Sequence, residues 1–179
     1  MRALANAVGY QAVWIIAVTG AAHGRAYWAL AAAAVFVAAQ WLASQHRASD
    51  LRLLAVAVAL GVILDGTLAA SGWLRYATPD PALLAPAWIL AVWAAFALTI
   101  NHSLRFLQGR PAWAAAVGAL GGPAAYLAAE RGFGAVTFAT PPARGVVMLA
   151  VAWALVLALL GHLAQSWQPV RAATAEEPS

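Results

Sequence analysis

The sequence contains no cysteine and no lysine, and charged residues make up only 9% of its 179 positions. Without cysteine there is no disulfide, no thiolate metal ligand and no cysteine nucleophile. A soluble domain carries about 25% charged residues, so a water-soluble fold is excluded unless most of its surface faces something other than water. Hydrophobic residues make up 64% of the chain and form several long runs. These runs indicate a polytopic membrane protein.

The net charge of +4 does not indicate nucleic-acid binding, because the ten arginines are dispersed singly near the ends of the apolar runs. Nucleic-acid-binding proteins cluster their basic residues on one face. Six arginines fall on the predicted side of both termini (Arg2, Arg47, Arg52, Arg105, Arg110 and Arg171) and four on the other (Arg25, Arg75, Arg131 and Arg144). The positive-inside rule therefore predicts two cytoplasmic termini. Arginine without lysine, together with abundant alanine, is typical of a GC-rich bacterial genome, so the expected location is the bacterial inner membrane.

Six apolar segments can be counted, and the expected fold is all-α, a bundle of six transmembrane helices over residues 1–168. The spans are expected at residues 4–22, 27–44, 51–71, 83–103, 113–129 and 146–163, joined by short loops. Ser49 or Asp50 is expected to cap the third helix, and Pro111 suits the first turn of the fifth. This leaves no room for a separate folded domain.

The first apolar run, the loop at residues 130–145 and the C-terminal residues differ in composition from the other segments. The first apolar run has the length of a signal peptide, but Asn6 and Gln11 interrupt it where a signal is uniformly apolar. We therefore expect an uncleaved first helix. Residues 130–145 form the longest loop, which is apolar and is expected to lie in the membrane interface or to fold back on the bundle. The polar residues 169–179 are expected to be a disordered tail.

The fourth span ends on three hydrogen-bonding residues, Asn101, His102 and Ser103, where an inert anchor would carry leucine. Polar residues of other spans reach a similar depth: Asn6 and Gln11, Gln40 and Ser44, and His162 and Gln165. The sequence thus predicts a polar layer on the inner side of the bundle. This layer is either a head-group or substrate pocket with His102 as base, or a network of hydrogen bonds between helices.

Asp65 is the only acidic residue that we expect inside a span, about 20 Å from the cytoplasmic interface. A carboxylate at that depth is costly and faces the bundle interior. It is either a proton-accepting or substrate-orienting acid, or a protonated group that hydrogen-bonds a neighbouring helix. Gly121, Gly122 and Pro123 in the fifth span reach a similar depth, and Pro123 leaves the carbonyl of Ala119 without its helical donor. We predict that Asp65 donates to this freed backbone, in a packing interface or in a binding cavity.

Two familiar catalytic arrangements are excluded. A Ser-His-Asp triad of Ser103, His102 and Asp65 fails because His102 and Asp65 are about 15 Å apart along the helix axes. A zinc site on His102 and His162 lacks the three or four ligands that zinc requires. Neither a metal nor a cofactor is expected.

Several residues together resemble a family of small bacterial inner-membrane proteins that is known only as a domain of unknown function. The resemblance covers nearly the whole chain and rests on Asn6, Trp14 and Gly20; Asp65; Pro86, Trp88, Trp93 and Phe96; Asn101 to Leu104; and Gly121-Gly122-Pro123. Members of that family are often encoded beside cyclopropane-fatty-acid-synthase-like enzymes and amine-oxidase-like flavoproteins. The resemblance implies a role in the modification of membrane-lipid acyl chains, with such enzymes as partners, and it carries over no catalytic residues.

The leading hypothesis is an accessory, non-catalytic protein that binds lipid acyl chains or lipid-modifying enzymes. One alternative is an intramembrane enzyme that acts on lipid through Asp65 or His102. A second is a small-solute transporter, although internal symmetry and a second intramembrane charge are missing. The candidate binding residues are Asn6, Gln11, Asp65, Trp88, Trp93, Asn101, His102, Ser103, Gly121, Gly122 and Pro123. The sequence does not predict an oligomeric state.

Overall fold

The computed structural model describes residues 1–79 and 84–167. Within these residues the α-helices are α1 (Arg2–Ala22), α2 (Tyr27–Ala43), α3 (Arg47–Ala70), α4 (Ala87–Ile100), α5 (Pro111–Ala128) and α6 (Ala143–Ser166). There are also two short strands, β1 (Leu74–Tyr76) and β2 (Val136–Phe138), a 3-10 turn at Arg105–Leu107 and a π-helical turn at Ala129–Phe133. The fold is helical, as expected. The tail 169–179 and Leu83, the predicted start of the fourth span, lie outside the described residues.

Four helices are long and apolar enough to cross a membrane: α1, α3, α6, and α5 together with the helical turn that extends it to Phe133. The other two are shorter, 17 residues in α2 and 14 in α4. At 1.5 Å per residue, α4 is about 21 Å long, less than the roughly 30 Å of a hydrocarbon core. Length and composition thus identify four membrane-length helices.

The short helix α4 lies in the middle of the bundle. Eleven of its 14 residues are buried, and it packs against α1, α2, α3 and α6. A helix that is apolar all round is expected in such a position. Gly61 lets α3 and α4 pack closely, because a Cβ at that position would lie 2.5 Å from Cδ1 of Trp93. The neighbouring helices therefore cover most of the apolar surface of α4.

The fourth helix is shorter than predicted at both ends. It begins at Ala87, because Pro86 disfavours a helical backbone at the residue before it. It ends at Ile100, so Asn101, His102 and Ser103 form a turn beyond it instead of its last helical turn. The hydroxyl of Thr99 donates to the carbonyl of Phe96, 2.6 Å away. The amide of Leu104 donates to the carbonyl of Thr99 at 2.8 Å. These bonds replace the regular helical pattern and end the helix.

The third helix begins four residues earlier than predicted, at Arg47, and neither Ser49 nor Asp50 caps it. Ser44 holds the start instead, because its hydroxyl oxygen accepts a hydrogen bond from the amide of His46 at 2.9 Å. Both predicted caps are consequently buried inside α3. Asp65 is therefore not the only acidic residue of a span, since Asp50 is a second one.

At the other end of the bundle, the apolar loop after α5 folds back on the helices, which was one of its two predicted arrangements. A π-helical turn, Ala129–Phe133, continues α5. The chain then forms β2, which pairs antiparallel with β1 so that Arg75 lies opposite Thr137. A carboxylate oxygen of Glu130 accepts the amide of Phe138 at 2.7 Å. This small sheet places Tyr76, which is buried, against the helices.

Candidate functional site

A groove runs along the side of the bundle between α1 and α5. Tyr10 and Trp14 line it from α1, Gly121 and Tyr126 from α5, and Trp153 from α6, while α4 forms the floor. It encloses about 510 Å³, within the range of 300 to 1,000 Å³ that is typical of small-molecule sites. Most of the residues that line it are aromatic, aliphatic or glycine, so the groove suits an apolar ligand.

Glycines of α5 shape this groove in two ways. A Cβ at Gly118 would collide with the backbone of Trp153, and a Cβ at Gly122 would collide with its ring. These two glycines therefore allow α5 and α6 to pack closely. A Cβ at Gly121 would meet nothing within 4 Å, so Gly121 faces open space. Pro123 is buried inside an uninterrupted α5.

The floor of the groove is a cluster of aromatic rings. Trp93 of α4 and Trp153 of α6 are stacked, with ring centroids 4.5 Å apart and an interplanar angle of 13°. Phe96 packs edge-on against Trp153 at 5.1 Å. Tyr10 covers Phe96 from α1, with centroids 5.7 Å apart. Ring pairs at these separations contribute about 0.5–1.5 kcal/mol beyond the area they bury, so the cluster keeps the floor in a fixed shape.

Asp65 lies directly behind this floor and is fully buried. Its Oδ1 accepts hydrogen bonds from the hydroxyls of Tyr76 at 2.6 Å and of Tyr126 at 2.5 Å. Its Oδ2 accepts one from Nε1 of Trp93 at 2.7 Å. The expected inward orientation of Asp65 is confirmed, and two of its three donors, Trp93 and Tyr126, also line the groove.

The predicted partner of Asp65, the carbonyl of Ala119, is wrong. The carbonyl of Ala119 is an acceptor, so Asp65 could bond it only by donating a carboxyl proton. The observed partners include the indole N–H of Trp93, which can only donate, so Asp65 acts there as the acceptor. Three donors converge on Asp65, which serves them as an acceptor. Burial raises the pKa of Tyr76, and the neighbouring Asp65 carboxylate raises it further. The Tyr76 hydroxyl thus keeps its proton and joins the small sheet to α3.

The C-terminal end of α4 lies at the end of the bundle where α1 begins. Nδ2 of Asn6 donates to the carbonyl of Leu98 at 3.1 Å and to Oε1 of Gln40 at 2.9 Å. The hydroxyl of Ser103 donates to Oδ1 of Asn6 at 2.7 Å. Nε2 of Gln108 donates to the carbonyl of Ile100 at 3.0 Å. Because the last carbonyls of a helix have no partner of their own, this network supplies donors to the buried end of α4.

Replacing Asn6 with leucine is expected to destabilise the protein by about 1–3 kcal/mol, since the carbonyl of Leu98 and the hydroxyl of Ser103 lose a buried partner. Gln11→Leu serves as the control, because Gln11 lies one to two turns further along α1, is exposed, and has no hydrogen-bond partner among the described residues. Thermal unfolding in detergent micelles measures both variants. Equal stability of the Asn6 variant and the unmodified protein would contradict this role.

Asp50 organises a second polar cluster beside the first. Its Oδ1 accepts Nδ2 of Asn101 at 2.8 Å, and its Oδ2 lies 3.4 Å from Nε2 of His102. Nδ2 of Asn101 also lies 3.0 Å from the hydroxyl oxygen of Ser49. The His102 side chain is 20% exposed and Asp50 is fully buried. Ser103 belongs to the Asn6 network, so His102 and Ser103 do not form a catalytic pair.

The remaining predicted residues are distributed over different surroundings. Gln11 lines the groove. Trp88 is buried, does not line the groove and packs edge-on against Tyr76, with centroids 6.1 Å apart. His162 and Gln165 are exposed on α6. The structure thus brings five of the predicted residues to the groove and assigns Asn6 to the network at the end of α4; the five are Gln11, Trp93, Ser103, Gly121 and Gly122.

Sequence reasoning missed four residues that complete these networks: Tyr76, Tyr126, Asp50 and Gln108. A signal existed for Tyr126, which is the one side-chain hydroxyl in α5 and follows Pro123 by three residues. Asp50 was assigned to a helix cap, which concealed its burial. For Tyr76 the sequence contains no comparable signal, because Tyr76 reaches Asp65 only through the pairing of two short strands.

The fold and the groove define a helical protein whose apolar segments are compatible with a membrane. In a family comparison, residues 3–159 match DUF2878, a family described as a protein of unknown function. This confirms a domain of unknown function over nearly the whole chain. The chain belongs to this family. No curated protein and no solved structure matches it.

Proposed function

We propose that this is an integral inner-membrane protein that binds a lipid acyl chain in the groove between α1 and α5, as an accessory to enzymes that modify acyl chains. The observation that carries the proposal is the shape and lining of the groove. The lining residues of α5 extend from Val117 to Ala128, about 16 Å along the helix. An elongated and mostly apolar site of this kind suits an extended hydrocarbon chain.

The position of the groove also favours a ligand that arrives from the bilayer. Exposed residues of two helices form its edges, among them Ala7 on α1 and Val117 and Gly121 on α5. In a membrane this side faces lipid. Because lipid tails are as apolar as the residues that they contact, selectivity in such a site comes from shape and packing. The fixed aromatic floor supplies that shape.

The proposal includes a six-span topology with both termini in the cytoplasm. α4 is enclosed by other helices, so its length of about 21 Å does not prevent it from being one of the spans. Polar partners at its buried end satisfy the requirement that backbone ends at membrane depth be covered by protein. Arg2, Arg47 and Arg105 lie exposed at the end where α1 begins, and the positive-inside rule supports a cytoplasmic position for that end.

One observation favours the enzymatic alternative. Tyr126 lines the groove and its hydroxyl lies 2.5 Å from Asp65, so Asp65 is in direct contact with a residue of the groove wall. Neither His102 nor Asp65 lines the groove, but Asp65 is hydrogen-bonded to Tyr126, which does. Tyr126 and Asp65 are therefore the acid–base pair to test. If this pair is catalytic, Tyr126→Phe abolishes turnover of a groove-bound lipid and leaves its binding intact.

Gly121→Leu is expected to remove most co-purified lipid, because the new side chain extends into open groove space without meeting protein atoms. Leucine also raises helix propensity relative to glycine, so the fold is expected to be retained. Ala124→Leu is the matched control, since Ala124 is exposed on α5 outside the groove lining. Native mass spectrometry of the full chain measures bound lipid per protein. Equal occupancy in the Gly121→Leu variant and the unmodified protein would overturn the proposed function.

A further inference from the structure

We propose that the polar end of the groove holds the head group of an anionic phospholipid whose acyl chain lies in the groove. This inference rests on the function proposed above and adds the class and the orientation of the ligand. The groove is more polar at one end than at the other. Ser103 and Gln11 contribute hydrogen-bonding groups near one end, while Trp93, Trp153 and Tyr126 line the rest. An amphiphile fits this gradient in one orientation only.

Gln11 and Ser103 offer complementary hydrogen-bonding capacity. The Gln11 amide has two N–H donors and no partner among the described residues, although it lies in an apolar helix. The Ser103 hydroxyl donates to Asn6, so its remaining capacity is that of an acceptor. Gln11 lies five residues beyond Asn6 along α1, about 7.5 Å deeper into the bundle. This depth suits the ester carbonyl of a lipid, which accepts but does not donate.

Charge determines the class of head group. Arg105 directly follows Leu104, which lines the groove, and Arg2 precedes Asn6 by one helical turn on the same face of α1. Both arginines are exposed, and neither guanidinium group has a hydrogen bond or ion pair within residues 1–79 and 84–167. Two other arginines of this end are engaged: Arg47 donates to the carbonyl of Leu42 at 2.6 Å, and Arg52 lies 5.8 Å from the ring of Trp167. Arg110, which directly precedes α5, is exposed and adds to the positive charge of this end.

The described part of this end contains no exposed carboxylate that would neutralise these arginines. Its one acid, Asp50, is fully buried and bonded to Asn101 and His102. Arg105 at the surface, Gln11 further in and the aromatic floor beyond them follow the order of phosphate, ester and acyl chain in a glycerophospholipid. Guanidinium groups bind phosphate with two parallel hydrogen bonds. The site therefore favours a negatively charged head group over a zwitterionic one.

The test is a lipid competition on the full chain in a neutral detergent, read by native mass spectrometry. The probes are dioleoyl phosphatidylglycerol and dioleoyl phosphatidylcholine in equal amounts, which share acyl chains and differ in head-group charge. We expect the unmodified protein to bind phosphatidylglycerol about fivefold more often, the effect of one basic residue at a membrane surface. Arg105→Gln is expected to bring this ratio close to one. Arg52→Gln, at the same end but engaged with Trp167, is expected to leave it unchanged.

A third variant tests the ester contact. Gln11→Leu is expected to lower the occupancy of both lipids and to keep their ratio, because both carry the same ester groups. An equal ratio in the unmodified protein, with Gly121→Leu still removing both lipids, overturns the head-group site and leaves the acyl-chain groove standing. Equal losses in Arg105→Gln and Arg52→Gln also overturn it, since the preference then comes from the general charge of that end. If Gly121→Leu removes neither lipid, the proposed function itself fails.

Discussion

Asp65→Asn is expected to destabilise the protein by about 1–3 kcal/mol, and Asp65→Ala by about 3–5 kcal/mol. In the wild-type protein, both carboxylate oxygens accept hydrogen bonds, two from tyrosine hydroxyls and one from Trp93. An asparagine turns one of these oxygens into an NH₂ group that faces a donor, and a buried polar group without a partner costs about 1–3 kcal/mol. Alanine leaves all three donors without their acceptor. Thermal unfolding in detergent, followed by tryptophan fluorescence, measures both changes.

A double-mutant cycle identifies the origin of this loss. Tyr126→Phe removes one of the donors, so Asp65→Asn is expected to cost less in that background than in the wild-type protein. Thr67→Val is a suitable control on the same helix, because the hydroxyl of Thr67 is exposed and donates only to its own backbone, at the carbonyl of Ile63. Additive effects of Asp65→Asn and Tyr126→Phe would contradict a shared network.

The same replacement is also expected to lower lipid occupancy, because Asp65 fixes two side chains that line the groove, Trp93 and Tyr126. Asp65 does not line the groove itself and is therefore a positioning residue in the binding proposal. Loss of stability without any change in bound lipid would confine Asp65 to a structural role. Unchanged stability together with loss of a reaction would instead favour the enzymatic alternative.

Gly118→Leu is expected to prevent close packing of α5 and α6 and to cost more than about 3 kcal/mol, the upper part of the range for overpacked cores. The new Cβ would collide with the backbone of Trp153, which cannot move like the end of a flexible side chain. Gly121→Leu on the same helix is the control, because a Cβ at Gly121 would meet nothing within 4 Å. Folded yield and thermal unfolding distinguish them. Equal stability of the two variants would contradict the described packing of α5.

The helical pattern of the sequence predicts the fold well where apolar runs end at glycine or at polar clusters. The observed α1 and α2 agree with the predicted spans within two residues at every end. α4 is shorter than its apolar run because hydrogen bonds of Thr99 and Leu104 end the helix early. Such bonds depend on tertiary packing around Asn101. A hydropathy pattern does not predict these hydrogen bonds.

The candidate site could be predicted only in part. An acid within an apolar helix indicates burial, and Asp65 is buried. Its partners were not predictable by helix depth, because one comes from a short strand and two from other helices whose rotation the sequence does not determine. Asn6 and Ser103 were predicted to share a layer, and they are hydrogen-bonded. The groove follows from how α1, α5 and α6 pack around α4, a property of their arrangement that no single segment carries.

The central claim, that the groove between α1 and α5 holds an acyl chain, is tested most directly by photo-crosslinking. The purified full chain is irradiated with a phospholipid that carries a photoreactive group in its acyl chain, and the adducts are mapped by mass spectrometry. We expect the adducts to be concentrated on groove residues such as Val117, Ala125 and Trp153. We also expect these adducts to be lost in the Gly121→Leu variant. Adducts spread evenly over outward-facing residues such as Val35 and Leu155, and unchanged by Gly121→Leu, would contradict it.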